Sequence, residues 1–159
     1  DTSRVRGPGL PVIRYETVIH RHQLAEARVS GAAGVTVHAA LHDTKSLAAL
    51  LKVGAELGLA VLPIVATVDE TNAVLETGAA FACVSLHDDD SGNVVEGRAA
   101  ALVPLLAKAG TLVLVRAECS TASGMASLAS LGAQSIVTCA PFVKAGDRAA
   151  FLRGLVAPA

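Results

Sequence analysis

Short apolar runs alternate with amphipathic stretches along the whole chain. The apolar runs are nearly continuous, which is typical of strands that are buried on both faces. They predict six strands, at residues 12–14, 34–38, 61–66, 81–85, 111–116 and 135–138. The amphipathic stretches predict six helices, at residues 21–30, 44–57, 69–77, 94–109, 121–131 and 146–155. This alternation indicates a single α/β domain over residues 1–159, with parallel strands joined by right-handed crossovers.

Residues that favour turns and helix ends fall at the same boundaries. Three predicted helices are each followed by a glycine just before the next strand, namely Gly31, Gly78 and Gly132. Glycine adopts the left-handed conformation that ends a helix without a steric penalty. Side-chain oxygens that could accept from the free N–H groups at helix starts are those of Asp43, Asp69 and Thr121. These signals support the predicted order of elements.

Composition and charge exclude several classes of protein. The 159 residues are 52% hydrophobic and 17% charged, which favours a packed globular chain over a disordered one. Basic and acidic residues number 13 and 14, and aromatic residues make up 3%, so no nucleic-acid partner is predicted. No apolar run reaches the roughly 18–20 residues of a membrane-spanning helix, so no membrane insertion is predicted.

The cysteines bear on the cellular compartment. Cys83, Cys119 and Cys139 lie in or beside apolar strand-like segments, at no spacing typical of metal ligands. We predict that all three are buried free thiols of an intracellular, reducing compartment. The first residue is Asp1 and not methionine, so an organelle reached after removal of a transit peptide stays open. No cofactor is predicted, since no Walker loop, dinucleotide fingerprint, nucleophile elbow or CxxC motif is present.

One segment identifies a family. Residues 10–19 read LPVIRYETVI, which resembles the third strand of the indole-3-glycerol phosphate synthases, where LPVLRKDFII is typical. These enzymes are (β/α)8 barrels of tryptophan biosynthesis, and the resemblance runs from Arg6 to the C-terminus. It implies barrel strands three to eight, hence an incomplete TIM-barrel-like fold with six βα units where a full barrel has eight. Both edges of such a sheet are unpaired, so we expect other protein chains, or N-terminal residues absent from this sequence, to cover them.

The resemblance also implies that the catalytic positions are altered. Tyr15 stands where the family has its catalytic lysine, Val65 where it has a catalytic glutamate, and Ser85 where it has a substrate-binding asparagine. A phenol cannot be a cationic acid at neutral pH, and valine has no proton to exchange. We therefore predict that no catalytic residue of the synthase type is retained.

The phosphate-binding motifs of the family have changed as well. Its SESGI and GESL segments correspond approximately to residues 116–120 and 139–142, so the affected positions are Glu118, Cys119, Cys139, Ala140 and Pro141. Cysteine replaces a glycine that allows close approach, and proline offers no N–H group. Glu118 repels a phosphate unless it aligns with the family's glutamate, in which case Cys119 replaces the serine. The sequence predicts that phosphate binding is lost.

Other polar side chains follow the predicted strands at the same end of the barrel. They form a possible rim site of His38, His42, Asp43, His87 and Asp88, the last of which continues into Asp89 and Asp90. Histidine and carboxylate groups can bind a divalent metal. The spacings are weak as metal signatures, however, and a solvated acidic loop is the simpler interpretation. We predict no metal.

Three functions are compatible with this pattern. A catalytically degenerate family member, acting as a structural or accessory subunit of a larger assembly, explains the retained fold and the altered site together. The alternatives are an active indole-3-glycerol phosphate synthase and a repurposed barrel that binds a small molecule at its rim. Fold alone does not separate them, because TIM barrels support many chemistries.

Overall fold

The six predicted strands form one parallel sheet. The computed structural model describes residues 9–88 and 91–156, and for residue 156 it describes the backbone alone. Its strands are β1 (Ile13–Arg14), β2 (Gly34–His38), β3 (Ala60–Val65), β4 (Phe81–Ser85), β5 (Leu112–Arg116) and β6 (Ser135–Val137). They follow one another in the order β1 to β6, and every neighbouring pair is parallel. The sheet curls into a half-barrel, which confirms the prediction of an incomplete TIM-barrel-like fold.

Helices connect the strands and cover the outside of the sheet. They are α1 (Arg21–Val29), α2 (Thr44–Glu56), α3 (Val68–Glu76), α4 (Arg98–Lys108), α5 (Ala122–Ser130), α6 (Ala140–Lys144) and α7 (Arg148–Val156), with a 3-10 turn at Ala39–Leu41. None of the helices in the described part of the chain is long and apolar enough to cross a bilayer.

Most helix ends lie where the cap residues predict them. Asp43 and Thr121 accept from backbone N–H groups as N-caps of α2 and α5. The prediction for Asp69 is wrong, because Thr67 caps α3 and Asp69 lies in its first turn. Gly132 ends α5 with a φ of 110°, and a Cβ there would lie 2.7 Å from the Cβ of Ala107. No residue other than glycine fits this turn without strain.

Two helices differ from the prediction. Helix α4 begins at Arg98, four residues later than expected, because Val94 pairs with His87 in an isolated antiparallel bridge and Gly97 adopts a φ of 78°. Helix α6 was not predicted at all, since its five residues are too few to show a helical period.

The two faces of the sheet are packed very differently. Side chains alternate along each strand, so successive residues point to opposite faces. The helix-facing set belongs to a large buried cluster with residues of the helices, and includes Val35, Val37, Val61, Val65, Ala82, Val84, Val113 and Val115. The inner face carries a much smaller cluster, Leu62, Ile64 and Cys83, against which Leu114 packs. The main core therefore lies between the sheet and the helices.

Burial decreases from the centre of the sheet to both edges. Four of five residues are buried in β2 and β4, and five of six in β3. Neither β1 nor β6 has a buried residue, and neither has a second strand partner in the described residues. Both edges of the half-barrel are consequently open, as predicted from the count of strands.

Candidate functional site

A cluster of four side chains lies at the carboxyl ends of the strands, where barrel enzymes carry their active sites. This rim cluster consists of Tyr15, which follows β1, and of the last residues of β2, β4 and β5, which are His38, Ser85 and Arg116. The Tyr15 ring meets the His38 ring edge-on, with centroids 5.9 Å apart at 86°. The Arg116 Cζ atom lies 5.5 Å from the centroid of the same ring, and Arg116 Nη1 donates to Ser85 Oγ at 3.4 Å. Tyr15 is half exposed, and its ring lies next to the Arg116 guanidinium.

Val65, which the sequence places at the family's catalytic glutamate, does not lie in this cluster. Its side chain is 0% exposed and belongs to the core between sheet and helices. The preceding residue, Ile64, belongs to the inner-face cluster with Leu62 and Cys83. Strand alternation explains the difference, since a shift of one residue moves a side chain to the other face. The inner face carries an isoleucine at this point of β3, and so still no carboxylate.

Sequence reasoning did not identify Arg98, which organises the loop after β4. Its Nη1 donates to the carbonyl oxygens of both Ser85 and His87, each at 2.9 Å. A cation in the first turn of a helix opposes the helix dipole, and that mismatch is the signal that could have drawn attention to it. Arg98 also lines a cavity of about 240 Å³ with His38, Ser85 and Asp88.

The predicted phosphate site contains an internal anion. Glu118 Oε2 accepts from the backbone N–H of Ala140, the first residue of α6, at 3.0 Å. Its other oxygen lies 4.0 Å from His87 Nε2. A carboxylate of the chain itself therefore accepts from the first backbone N–H of α6. Pro141 follows in the first turn of α6, where it offers no second N–H group.

The remaining rim residues take part in local structure and do not converge. His42 Nε2 donates to the Val18 carbonyl at 2.8 Å. Asp43 caps α2 through an N–H of Ser46 at 2.7 Å, and this hydrogen bond lowers the pKa of its carboxyl. Asp88 accepts from Ser91 N at 2.8 Å, whereas Nδ1 of His87 is buried with no hydrogen-bond partner in the described residues.

The rim residues therefore do not form a metal centre in the described part of the chain. Within residues 9–88 and 91–156, no group of three or more histidine, cysteine, aspartate or glutamate side chains could hold an ion. Asp89 and Asp90 lie outside the described residues. Only His38 and Asp88 of the predicted rim site share the cavity beside Arg98.

The three cysteines lie in different environments. Cys83 and Cys119 are buried free thiols, as predicted. The prediction for Cys139 is wrong: it is exposed, because it precedes α6 at the open edge of the sheet, where little chain covers it. Burial on the inner face raises the pKa of the Cys83 thiol to about 11.

The raised pKa of Cys83 makes stability depend on pH in the alkaline range. A thiol whose pKa is higher in the folded state contributes stability that is present below its ordinary pKa of 9.0 and is lost as pH rises towards about 11. We expect this loss to be about 2 kcal/mol. Urea unfolding below pH 9 and near pH 11 measures it, and Cys83→Ala should remove that part of the pH dependence. The exposed Cys139→Ala is the matched control, and an equal effect of both variants would contradict the assignment.

Comparison with known proteins shows the family to which the chain belongs. The family model for indole-3-glycerol phosphate synthase matches residues 6–155. The indole-3-glycerol phosphate synthase of Roseiflexus sp. (strain RS-1) is 32% identical over 151 residues, which are 93% of this chain and 55% of that protein. The enzyme of the same name from Roseiflexus castenholzii is 31% identical over 153 residues, 96% of this chain and 57% of that protein. The chain spans just over half the length of these curated relatives.

Solved structures share the fold at lower sequence identity. A mutant tryptophan synthase alpha-subunit from Pyrococcus furiosus has a TM-score of 0.70 at 19% identity, over 92% of this chain and 66% of that chain. A 3-hexulose-6-phosphate synthase has a TM-score of 0.68 at 22% identity, over 87% of this chain and 68% of that chain. These likenesses concern the fold alone. On the match over residues 6–155, the chain belongs to the indole-3-glycerol phosphate synthase family.

Proposed function

We propose that this chain is a catalytically degenerate member of the family, which acts as a structural or accessory subunit of a larger assembly. The observation that carries the proposal is the packing of Tyr15 at the position of the family's catalytic lysine. There the Arg116 Cζ atom lies 5.5 Å from the ring centroid, and the His38 ring meets the same ring edge-on. A residue held in this way stabilises the rim and has no cationic proton to give.

Neither Arg116 nor the inner-face residue of β3 replaces the lost acid and its carboxylate partner. Indole ring closure needs a cationic general acid with a carboxylate nearby, each of which typically contributes about 10²–10⁴ to the rate. The Arg116 guanidinium keeps its proton at neutral pH and therefore cannot transfer it. On β3 the inner-face residue is Ile64, which offers no carboxylate.

The internal carboxylate supports the same conclusion for substrate binding. Glu118 accepts from the Ala140 N–H and repels a second anion at that point. Helix α6 has only five residues, so its dipole offers little compensation. A phosphate-bearing substrate would thus find neither a free N–H of Ala140 nor a favourable electrostatic potential from α6.

The accessory role is supported by the open sheet edges. Unpaired strand edges associate with other chains unless something covers them, which favours a protein partner over a free monomer. The near-neutral charge balance supports the absence of a nucleic-acid partner. Three free thiols support an intracellular, reducing compartment.

An indole-fluorescence assay with the family's anilino-deoxyribulose phosphate substrate tests the proposal. We expect no turnover by the purified chain, with the full-length synthase of the Roseiflexus sp. relative as the positive control. A Tyr15→Lys, Ile64→Glu double variant restores the two chemical groups on the correct face. Activity gained only by that variant would support a lapsed enzyme, whereas turnover by the wild-type chain would overturn the proposal.

A further inference from the structure

The cavity beside Arg98 lies between the carboxyl ends of β2, β3 and β4 and the first turns of α3 and α4. Its charged lining consists of Glu70, Asp88 and Arg98. We propose that this cavity, called here the charged pocket, binds a short aliphatic α-amino acid, with its carboxylate on Arg98 and its ammonium on Glu70. The inference goes beyond the proposed function, because it uses no group of the synthase reaction.

Arg98 supplies the anion-binding half of the charged pocket. Its described hydrogen bonds both come from Nη1, which donates to the carbonyl oxygens of Ser85 and His87 at 2.9 Å each. A guanidinium has five N–H groups, and Nε and Nη2 of Arg98 donate to no acceptor among the described residues. Those two nitrogens form an edge that can hold a carboxylate through two parallel hydrogen bonds. The bonds at Nη1 fix the guanidinium beforehand.

Glu70 supplies the half that binds a cation. Its Oε2 accepts from the backbone N–H of Ala66 at 2.7 Å, and its Oε1 accepts from the Thr67 hydroxyl at 3.0 Å. A carboxylate has about four lone-pair sites, so each oxygen can accept one further hydrogen bond. The two existing bonds hold the carboxylate in position beside the cavity. An ammonium group, which has three donors, can bind there.

The balance of charge in the pocket selects a ligand that carries both signs. Glu70 and Asp88 repel an anion that has no positive group, and Arg98 repels a cation that has no negative group. Across residues 9–88 and 91–156, no group of three or more histidine, cysteine or carboxylate side chains could hold a metal ion. A zwitterion meets an opposite charge at each end and therefore fits best.

The size and the remaining lining restrict the rest of the ligand. Pockets for drug-sized ligands have volumes of about 300–1,000 Å³. The charged pocket, with about 240 Å³, therefore takes a smaller molecule. Ala40 and Ile64 add apolar lining, against which a short aliphatic side chain can pack. L-valine combines a carboxylate, an ammonium and such a side chain, and serves as the probe.

Calorimetric titration of the full 159-residue chain with L-valine tests the inference. We expect saturable binding with a Kd at or below about 1 mM. Isobutylamine lacks the carboxylate, and 3-methylbutanoate lacks the ammonium. Each should bind at least about tenfold more weakly, because each leaves one charged group of the pocket without its partner. No saturation by L-valine up to about 10 mM, or an analogue that binds as tightly, would overturn the inference.

Substitutions in the pocket show where the ligand binds. Glu70→Gln removes the negative charge, and Arg98→Lys removes the forked edge but keeps the positive charge. Each should weaken L-valine binding at least about tenfold. Glu96→Gln is the matched control, since Glu96 is exposed in the loop before α4 and does not line the pocket. Circular dichroism checks that each variant is folded.

A measurement on the wild-type chain keeps the test independent of the variants. The side-chain Nε–H signal of Arg98 in the nuclear magnetic resonance spectrum is identified by its loss in Arg98→Lys. L-valine should shift this signal, and isobutylamine should leave it in place. An unmoved signal with L-valine bound, or pocket variants that bind like the wild type, would overturn the inference. None of these results bears on turnover of the phosphate-bearing substrate, which tests the proposed function separately.

Discussion

Replacement of Val65 by glutamate is expected to lower the free energy of unfolding by about 3–5 kcal/mol. The Val65 side chain is 0% exposed in the core between sheet and helices, where a carboxylate would meet apolar groups. Burial raises the pKa of a carboxylate in the folded state, because the charged form is poorly solvated there. Ionisation of the new side chain therefore favours the unfolded state. The destabilisation should therefore grow as pH rises above the ordinary glutamate pKa of about 4.3. Urea unfolding at several pH values measures both effects.

The neighbouring Ile64→Glu is the matched control. Ile64 lies on the inner face, beside the cavities that open to water at the rim, so its carboxylate can be hydrated. We expect a loss of about 1–3 kcal/mol for this variant, with a weaker dependence on pH. Equal losses for the two variants would contradict the assignment of the two residues to opposite faces.

Replacement of Arg98 by alanine is expected to cost about 2–4 kcal/mol of stability. The guanidinium donates to two carbonyl oxygens, those of Ser85 and His87, and the His87 carbonyl also accepts from the neutral Ser85 hydroxyl at 3.2 Å. Without the guanidinium, both partly buried carbonyl groups lack a charged donor. The loop after β4 then loses its link to α4. Chemical unfolding gives the stability, and hydrogen exchange locates the loosened loop.

Two further variants make the Arg98 result specific. Arg98→Lys keeps the charge but has a compact ammonium group, so it should recover only part of the loss. Arg153→Ala removes an exposed arginine from α7 and should change stability by less than about 0.5 kcal/mol. A loss at Arg153 as large as that at Arg98 would show that net charge, and not the two hydrogen bonds, is responsible.

The sequence predicts the fold well because its signals are local. Continuous apolar runs locate all six strands, and the glycines after the helices locate the turns, since both depend on neighbouring residues. The late start of α4 could not be predicted in the same way. Val94 and Val95 look like part of an apolar helix face, but the bridge between Val94 and His87 and the left-handed backbone of Gly97 exclude them from it.

The candidate site was less predictable, because it depends on direction and on distant contacts. A strand has a period of two residues, so a miscount of one residue in an alignment exchanges Ile64 for Val65 and one face for the other. Glu118 meets a backbone N–H 22 residues later in the chain, and Arg98 meets Ser85 across 13 residues. Contacts of this kind follow from the tertiary structure and have no signature in local sequence.

The rim cluster gives the chain a built-in optical probe. Tyr15 is the only tyrosine, and the chain has no tryptophan, so tyrosine emission of the full chain reports on this one ring. The ring is half exposed beside the open edge of β1 and lies against a guanidinium. Phenol emission is sensitive to water, to hydrogen bonding and to nearby charge. Any molecule that settles against this edge should therefore change the ultraviolet fluorescence of the unlabelled protein.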